Sequence, residues 1–324
     1  MLTLHQAAQL FDQFYKAQNV FPSTPVNLYE PCVYALESEG KKIRPVLCLM
    51  GYELFKSELN DDVFNTALSF EMFHNFTLIH DDIMDNSPIR RGKPSVFKKF
   101  GPVAAILSGD VMNICAYETL GKVQDDAALV KLLRLFNKTA KEICEGQQLD
   151  MDFEQMNTVP LQDYIQMIYL KTSILLAACL KAGGILGGAS VHNQNALFEF
   201  GINLGIAFQI QDDYLDTFGT EKVIGKKPGG DIRCNKKTAL MILLRQALGE
   251  TFDQNYQPLL SLEEAEKVEK VTELYKNNQV EQSTKELVQK YTQLAYNSLE
   301  QIEVDNSKKE ALKELTNYLL LRKN

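Results

Sequence analysis

The stretch Ala67 to Asp85, ALSFEMFHNFTLIHDDIMD, decides how the chain folds. Ala67, Phe70, Phe73 and Thr77 recur at three- and four-residue spacing, the period of an α-helix rather than of a strand. The same period returns at Leu161, Ile165, Ile168 and Thr172, and at Leu4, Ala7, Ala8, Phe11 and Tyr15 near the start. Alternating runs are scarce, so an all-α protein is expected. Breakers fall at Pro22 and Pro25, Pro45, Pro88 to Pro94, Gly101-Pro102, Pro160 and Gly225 to Gly230, where helices should end. No low-complexity linker divides the sequence. A single large helical domain over residues 1–324 is expected, its helices surrounding a central cavity, with the more charged residues 257–324 on its outer part.

Composition narrows the function. With 324 residues, 45% of them apolar, the chain can bury a large core. A formal net charge of -8 argues against general affinity for nucleic acid or an anionic membrane, so an anionic substrate would need a local basic patch. The six cysteines form no Cys-x-x-Cys pair and have no histidine at zinc-ligand spacing; they are expected as small buried residues in a reducing cytosol. The start lacks a basic segment followed by an apolar run. The most apolar stretch, Ile174 to Leu186, is interrupted by Lys181 and Gly183-Gly184 and falls short of the roughly 20 residues that cross a bilayer. A cytoplasmic protein with no membrane span is expected.

Two segments share one pattern: Asp81-Asp82-Ile83-Met84-Asp85 and Asp212-Asp213-Tyr214-Leu215-Asp216. On a helix the first and last carboxylates of each are i, i+4 neighbours about 6 Å apart, and their repulsion is destabilising unless a cation answers it. Both motifs follow apolar runs, where unpaired carboxylates are costly to bury. Magnesium, which takes one or two carboxylates plus water and phosphate oxygens, fits this pattern. Three basic clusters lie beside glycine or proline: Gly40-Lys41-Lys42-Ile43-Arg44-Pro45, Arg90-Arg91-Gly92-Lys93-Pro94, and Gly225 to Asp231 followed by Lys236-Lys237-Thr238. Arginine pairs suit bidentate phosphate contacts. A helix starting at Lys41 would aim Lys41 and Arg44 at one spot. Together the clusters read as sites for two diphosphates.

These motifs, in this order, resemble the trans-type polyprenyl diphosphate synthases, over about residues 40–238. The resemblance implies an isoprenoid-synthase fold, a homodimer, and condensation of isopentenyl diphosphate with an allylic diphosphate. It implies that Asp81, Asp85 and Asp82 hold two magnesium ions, and that Asp212 with Asp216 holds a third. Lys41, Arg44, His74 and Arg91 would bind isopentenyl diphosphate. Arg90, Lys171, Lys226 and Lys236 would bind the allylic diphosphate, with Thr172 and Gln209 near the developing cation. Gly146-Gln147-Gln148-Leu149-Asp150 matches a family segment of supporting residues. Two departures stand out: Phe97 where the family commonly has histidine, and Glu39 where a second glycine often precedes Gly40.

Phe76 lies five residues before Asp81, about 7.5 Å along a helix, with Phe73 and Met72 below it. Such a floor, with the small Thr77 beside it, resembles short-chain synthases making geranylgeranyl diphosphate (C20), with farnesyl diphosphate (C15) close behind. A terpene cyclase and a non-catalytic regulatory subunit are the rival readings. The first would use a different second metal motif, and the second would have lost one motif or the basic clusters. The closing segment from Leu319 is read either as a flap over the site or as a solvated basic end.

Overall fold

The structure, a computed structural model, describes residues 2–38, 40–221 and 227–320. Glu39, Lys226 and the segment 321–324 lie outside the described residues. The regular elements of the described chain are helical apart from one hairpin of two-residue strands, β1 (Ile89–Arg90) antiparallel to β2 (Lys93–Pro94). It forms two compact units: residues 1–137, 178–198 and 302–312, and residues 138–177, 199–301 and 313–324.

The first unit contains α1 (Leu4–Ala17), α2 (Val26–Leu36), α3 (Ile43–Glu53), α4 (Asp61–Met84), α5 (Val96–Phe100) and α6 (Pro102–Leu120). Helix α1 begins with a reciprocal cap: Thr3 Oγ accepts from the Gln6 amide and Gln6 Oε1 accepts from the Thr3 amide. In α4 the Asn60 side chain accepts from the Val63 amide, and Asp61 and Asp62 sit favourably in the first turn. Every α4 residue from Asn65 to Asn75 is buried, so this helix runs through a core rather than along a surface. It packs on α6, where Ser69 Oγ donates to the Ala116 carbonyl at 2.8 Å. Cys32, Cys48, Cys115 and Cys179 are buried as expected, whereas Cys144 and Cys234 are exposed.

The second unit takes the later part of α7 (Asp126–Gln155), α8 (Leu161–Ile168), a π-helical turn (Tyr169–Ser173), the first residues of α9 (Ile174–Leu186) and most of α10 (Val191–Phe218). It continues through α11 (Gly230–Arg233), α12 (Ala239–Leu248), α13 (Phe252–Tyr256), α14 (Glu264–Asn277) and α15 (Val280–Glu300), and closes with the end of α16 (Asn306–Leu320). Ile232, Leu240, Leu244, Phe252, Val271 and Tyr275 build one of its hydrophobic cores. Because the π turn joins α8 to α9, the helical run spans Leu161–Leu186, 26 residues, longer than the sequence suggested, and its most apolar 18-residue window has a mean hydropathy of 1.4. Seventy-eight per cent of its most apolar window is buried, as for a core helix.

The face of α10 that meets this run is built from Gly201, Gly205, Gln209 and Asp213, one residue per turn. A Cβ on Gly201 would lie 2.4 Å from Ala177 Cα, and one on Gly205 2.5 Å from Ser173 Cα. Only hydrogen there lets the helices approach so closely, and that approach places Gln209 and Asp213. Gly205→Ala is expected to cost about 1–3 kcal/mol of stability through overpacking. Urea unfolding followed by circular dichroism measures it.

Candidate active site

In the first unit, α4 delivers Asp81 and Asp82 at its last turn, and Asp85 caps it, its amide donating to the Asp81 carbonyl at 2.8 Å. Asp81 is half-buried and Asp85 exposed, one turn apart. Asp82 turns inward and is 2% exposed; Arg90 donates to Asp82 Oδ1 from Nε at 3.0 Å and from Nη2 at 2.5 Å. Burial raises the Asp82 carboxyl above its ordinary range, and the Arg90 hydrogen bonds oppose that rise. The hairpin that carries Arg90 is held by Tyr34, whose hydroxyl donates to the Pro94 carbonyl at 2.8 Å.

The basic residues arrange themselves differently from the sequence reading. Helix α3 starts at Ile43, with Lys42 in the left-handed region before it (φ 47°), so Lys41 lies outside the helix and is exposed. The i, i+3 alignment of Lys41 with Arg44 therefore does not form. Lys42 points inward instead: its Nζ donates to the Leu36 carbonyl at 2.7 Å and to Glu71 Oε1 at 3.3 Å. Glu71 is 2% exposed and was not anticipated. A charge inside the apolar run Leu68–Phe73 was its only signal, since a carboxylate seldom stays buried without a partner. Arg44 is half-buried, and its Nε is enclosed with no hydrogen-bond partner. Arg91, at φ 52°, donates from Nη1 to Ser38 Oγ at 3.0 Å. His74 is buried; desolvation first, then Arg44, Arg91, Arg90 and Lys42, holds its imidazole well below the ordinary histidine value. It is a neutral donor or acceptor at pH 7.

Beneath these groups the aromatics stack. Phe76 packs on Phe73 with ring centroids 5.6 Å apart, and Phe73 meets Phe136 edge-on at 5.1 Å. Tyr117 meets Phe136 at 4.8 Å. Phe136 and Tyr117 thus extend the aromatic cluster around Phe73 and Phe76; nothing local in the sequence marked them.

In the second unit a cavity of about 180 Å³ collects most of the remaining candidates: Lys171, Thr172, Gln209, Asp212, Asp216 and Lys236. Asp212 is exposed and Asp213 buried, repeating the pattern of Asp81 and Asp82. Asp213 Oδ2 accepts from the Tyr164 hydroxyl and from the Ala239 amide at 3.3 Å, and its Oδ1 accepts from Gln209 Nε2 at 3.2 Å. Desolvation and the nearby Asp231 raise the Asp213 carboxyl, against the hydrogen bonds it accepts. Asp216 Oδ2 accepts from the Asp231 amide at 2.9 Å. Thus Asp213 and Asp216 satisfy amides at the starts of α12 and α11. Lys171 sits in the π turn, its Nζ donating to Asp150 Oδ2 at 2.6 Å. Asp150, from the segment Gly146 to Asp150, also lines the cavity, as do Asp231 and Tyr164. Lys226 lies outside the described residues. Among the described residues, no three of His, Cys, Asp and Glu gather as a ready-made cation site.

The first unit therefore presents Asp81 and Asp85 towards solvent and the second unit Asp212, with Asp216 buried one turn on at 3% exposed, each with cationic side chains close by, the apparatus of diphosphate chemistry on an all-helical frame. The polyprenyl synthetase family model matches residues 25–278, and the chain belongs to that family of prenyltransferases. Its activity is that of a trans-prenyl diphosphate synthase. A geranylgeranyl diphosphate synthase of Methanosarcina mazei is 44% identical over 219 residues, 67% of each chain. The crystal structure of a geranylgeranyl pyrophosphate synthase, 37% identical, superposes with a TM-score of 0.92 over 100% of both chains. A Corynebacterium glutamicum geranylgeranyl pyrophosphate synthase, solved in complex with isoprenyl diphosphate and magnesium, is 25% identical, with a TM-score of 0.82 over 99% of this chain and 97% of that one. The all-α expectation and the isoprenoid-synthase fold are borne out. The cyclase and regulatory-subunit readings give way to the synthase.

His74 makes a pH prediction. Its folded pKa lies below the unfolded value near 6.5, so as pH falls below that value the unfolded chain takes up a proton that the native chain refuses. Stability attributable to His74 is thus present above pH 6.5 and lost below it, at up to about 1.4 kcal/mol per pH unit. Urea unfolding between pH 5 and 7 should show a shallower pH dependence for His74→Asn than for the parent.

Proposed function

We propose that the chain makes geranylgeranyl diphosphate by adding isopentenyl diphosphate to an allylic diphosphate, with farnesyl diphosphate as the shorter alternative product. The observation that carries the chain length is the aromatic stack of Phe76 on Phe73 and Phe136, one face of α4 below Asp81. The geranylgeranyl names of the Methanosarcina relative and of the crystal structure superposing at a TM-score of 0.92 agree with it. We assign residues 1–324 to one synthase domain acting in the cytoplasm. A homodimer is supported by the apolar stripe that α6 exposes through Val103, Ile106, Leu107 and Ile114.

Members of the family use divalent metal ions, and the residues here suit magnesium. Asp81 and Asp85 offer hard oxygen donors one turn apart, and Asp212 and Asp216 repeat the spacing; magnesium takes one or two such carboxylates and completes its shell with substrate oxygens and water. The number proposed is three ions, which when bound supply charge neutralisation on the leaving diphosphate. Asp82 contributes through Arg90, whose guanidinium it fixes. Lys171, Lys236, Arg90 and Lys226 bind the allylic diphosphate. Lys41, Arg44, neutral His74 and Arg91 bind isopentenyl diphosphate. As the allylic carbon–oxygen bond breaks, these cations stabilise the departing oxygens electrostatically. Thr172 and Gln209 face the carbon left positive. The isopentenyl π bond attacks it, and loss of one proton to the released diphosphate restores an allylic product five carbons longer. No side-chain nucleophile takes part.

Purified protein incubated with magnesium, isopentenyl diphosphate and labelled allylic diphosphate should yield a C20 product. Asp81→Ala and Asp212→Ala should each lower turnover by about 100-fold or more, a loss of roughly 2.7 kcal/mol of transition-state stabilisation. Turnover close to that of the parent in both would refute the assignment. Phe76→Ala should shift the product distribution towards chains longer than C20, read by chromatography after dephosphorylation. Unchanged products would place the floor elsewhere.

A further inference from the structure

In the second unit one chain of hydrogen bonds, buried at Tyr164 and Asp213 and half-buried at Gln209 and Thr172, links Tyr164 to Thr172. The Tyr164 hydroxyl donates to Asp213, Asp213 Oδ1 accepts from Gln209 Nε2 at 3.2 Å, and Gln209 Oε1 accepts from Thr172 Oγ1 at 3.2 Å. Tyr164 is 3% exposed and Asp213 5%. We propose that Tyr164 and Asp213 are positioning residues that fix which end of the Gln209 amide faces the cavity. The inference rests on the reading of Gln209 as a group facing the developing allylic cation.

The two ends of a glutamine amide are nearly isosteric and opposite in charge: one is a carbonyl acceptor, the other a double donor. Left to itself, the Gln209 side chain could turn either end outward. Three donors converge on Asp213, from Tyr164, Gln209 and the Ala239 amide, which marks it as the acceptor of the group. An acceptor there requires the NH2 end of Gln209 to turn inward. Its oxygen is then left on the side of Thr172 and the cavity, negative end towards the forming positive charge. The reverse orientation would aim N–H dipoles at that charge and raise the barrier. Tyr164 matters because it orients the carboxylate: without its hydroxyl, the donor left to Oδ2 among the described residues is the Ala239 amide at 3.3 Å. Neither residue needs to touch substrate. The close approach at Gly201 and Gly205 fixes the backbone from which Gln209 and Asp213 project.

The test is a steady-state comparison at saturating magnesium, with folding checked by thermal unfolding. Tyr164→Phe should lower kcat by about 10-fold, the loss of one buried hydrogen bond to a charged group, with KM for both diphosphates within about 2-fold of the parent. Asp213→Asn should lower kcat further, because its amide can present a donor to Gln209 and turn it round. Adding Gln209→Glu to Asp213→Asn should recover part of that loss, since the new carboxylate accepts from the new amide and still shows an oxygen to the cavity. The half-saturating magnesium concentration should not move in any of them. A kcat unchanged in both single variants, while Gln209→Ala loses activity, overturns the positioning role alone. An Asp213→Asn defect cured by more magnesium also overturns it, by making Asp213 a metal ligand. If Gln209→Ala itself keeps full kcat, the cation-facing reading fails, and the inference with it.

Discussion

Two carboxylates at successive helix positions point about 100° apart, so when one faces the solvent the other is driven into the protein. Each aspartate motif meets this constraint. The first aspartate, Asp81 or Asp212, stays accessible, whereas the second, Asp82 or Asp213, is buried and must be given donors. Asp82 draws Arg90 from the 89–94 hairpin, which explains why a loop in an otherwise helical unit is so tightly placed. Asp213 draws Tyr164, Gln209 and the first amide of α12. The surroundings of each motif are organised by the carboxylate that faces away from solvent.

A second electrostatic balance operates in the first unit alone. Lys42, Arg44 and Arg91 would repel one another in a partly desolvated space, and Glu71 supplies the buried counter-charge, in contact with Lys42 and acting electrostatically on Arg44 and Arg91. The site keeps a net positive character, suited to an anion, without three uncompensated cations packed together. Burial first, and then the same cations, keep His74 neutral. It also gives Arg44, with its enclosed Nε, a reason to be buried before any phosphate arrives.

The helical period, the position of α4 and the identity of both motifs were legible in the sequence because each rests on local spacing. Residues joined only in three dimensions were not. Glu71 and Lys42 are 29 positions apart, Tyr164 and Asp213 are 49, and no period links them. The start of α3 was misjudged by two residues because Lys42 adopts a left-handed conformation that favours glycine or asparagine, so the composition gave no sign of it. The division of labour within each aspartate pair was hidden for a different reason. Identical residues diverge in role only when burial separates them.

The π turn at Tyr169–Ser173 carries one residue more than an α-helical turn would need. That extra residue rotates everything after it by roughly 100° about the helix axis relative to an uninterrupted helix. The apolar faces of α8 and α9 are therefore each correct only with the added residue between them. The segment can drift by substitution, but losing a single codon there would turn Lys171 and Thr172 off their face and carry the buried stripe of α9 out of register. Over evolutionary time its length should be more constant than its letters.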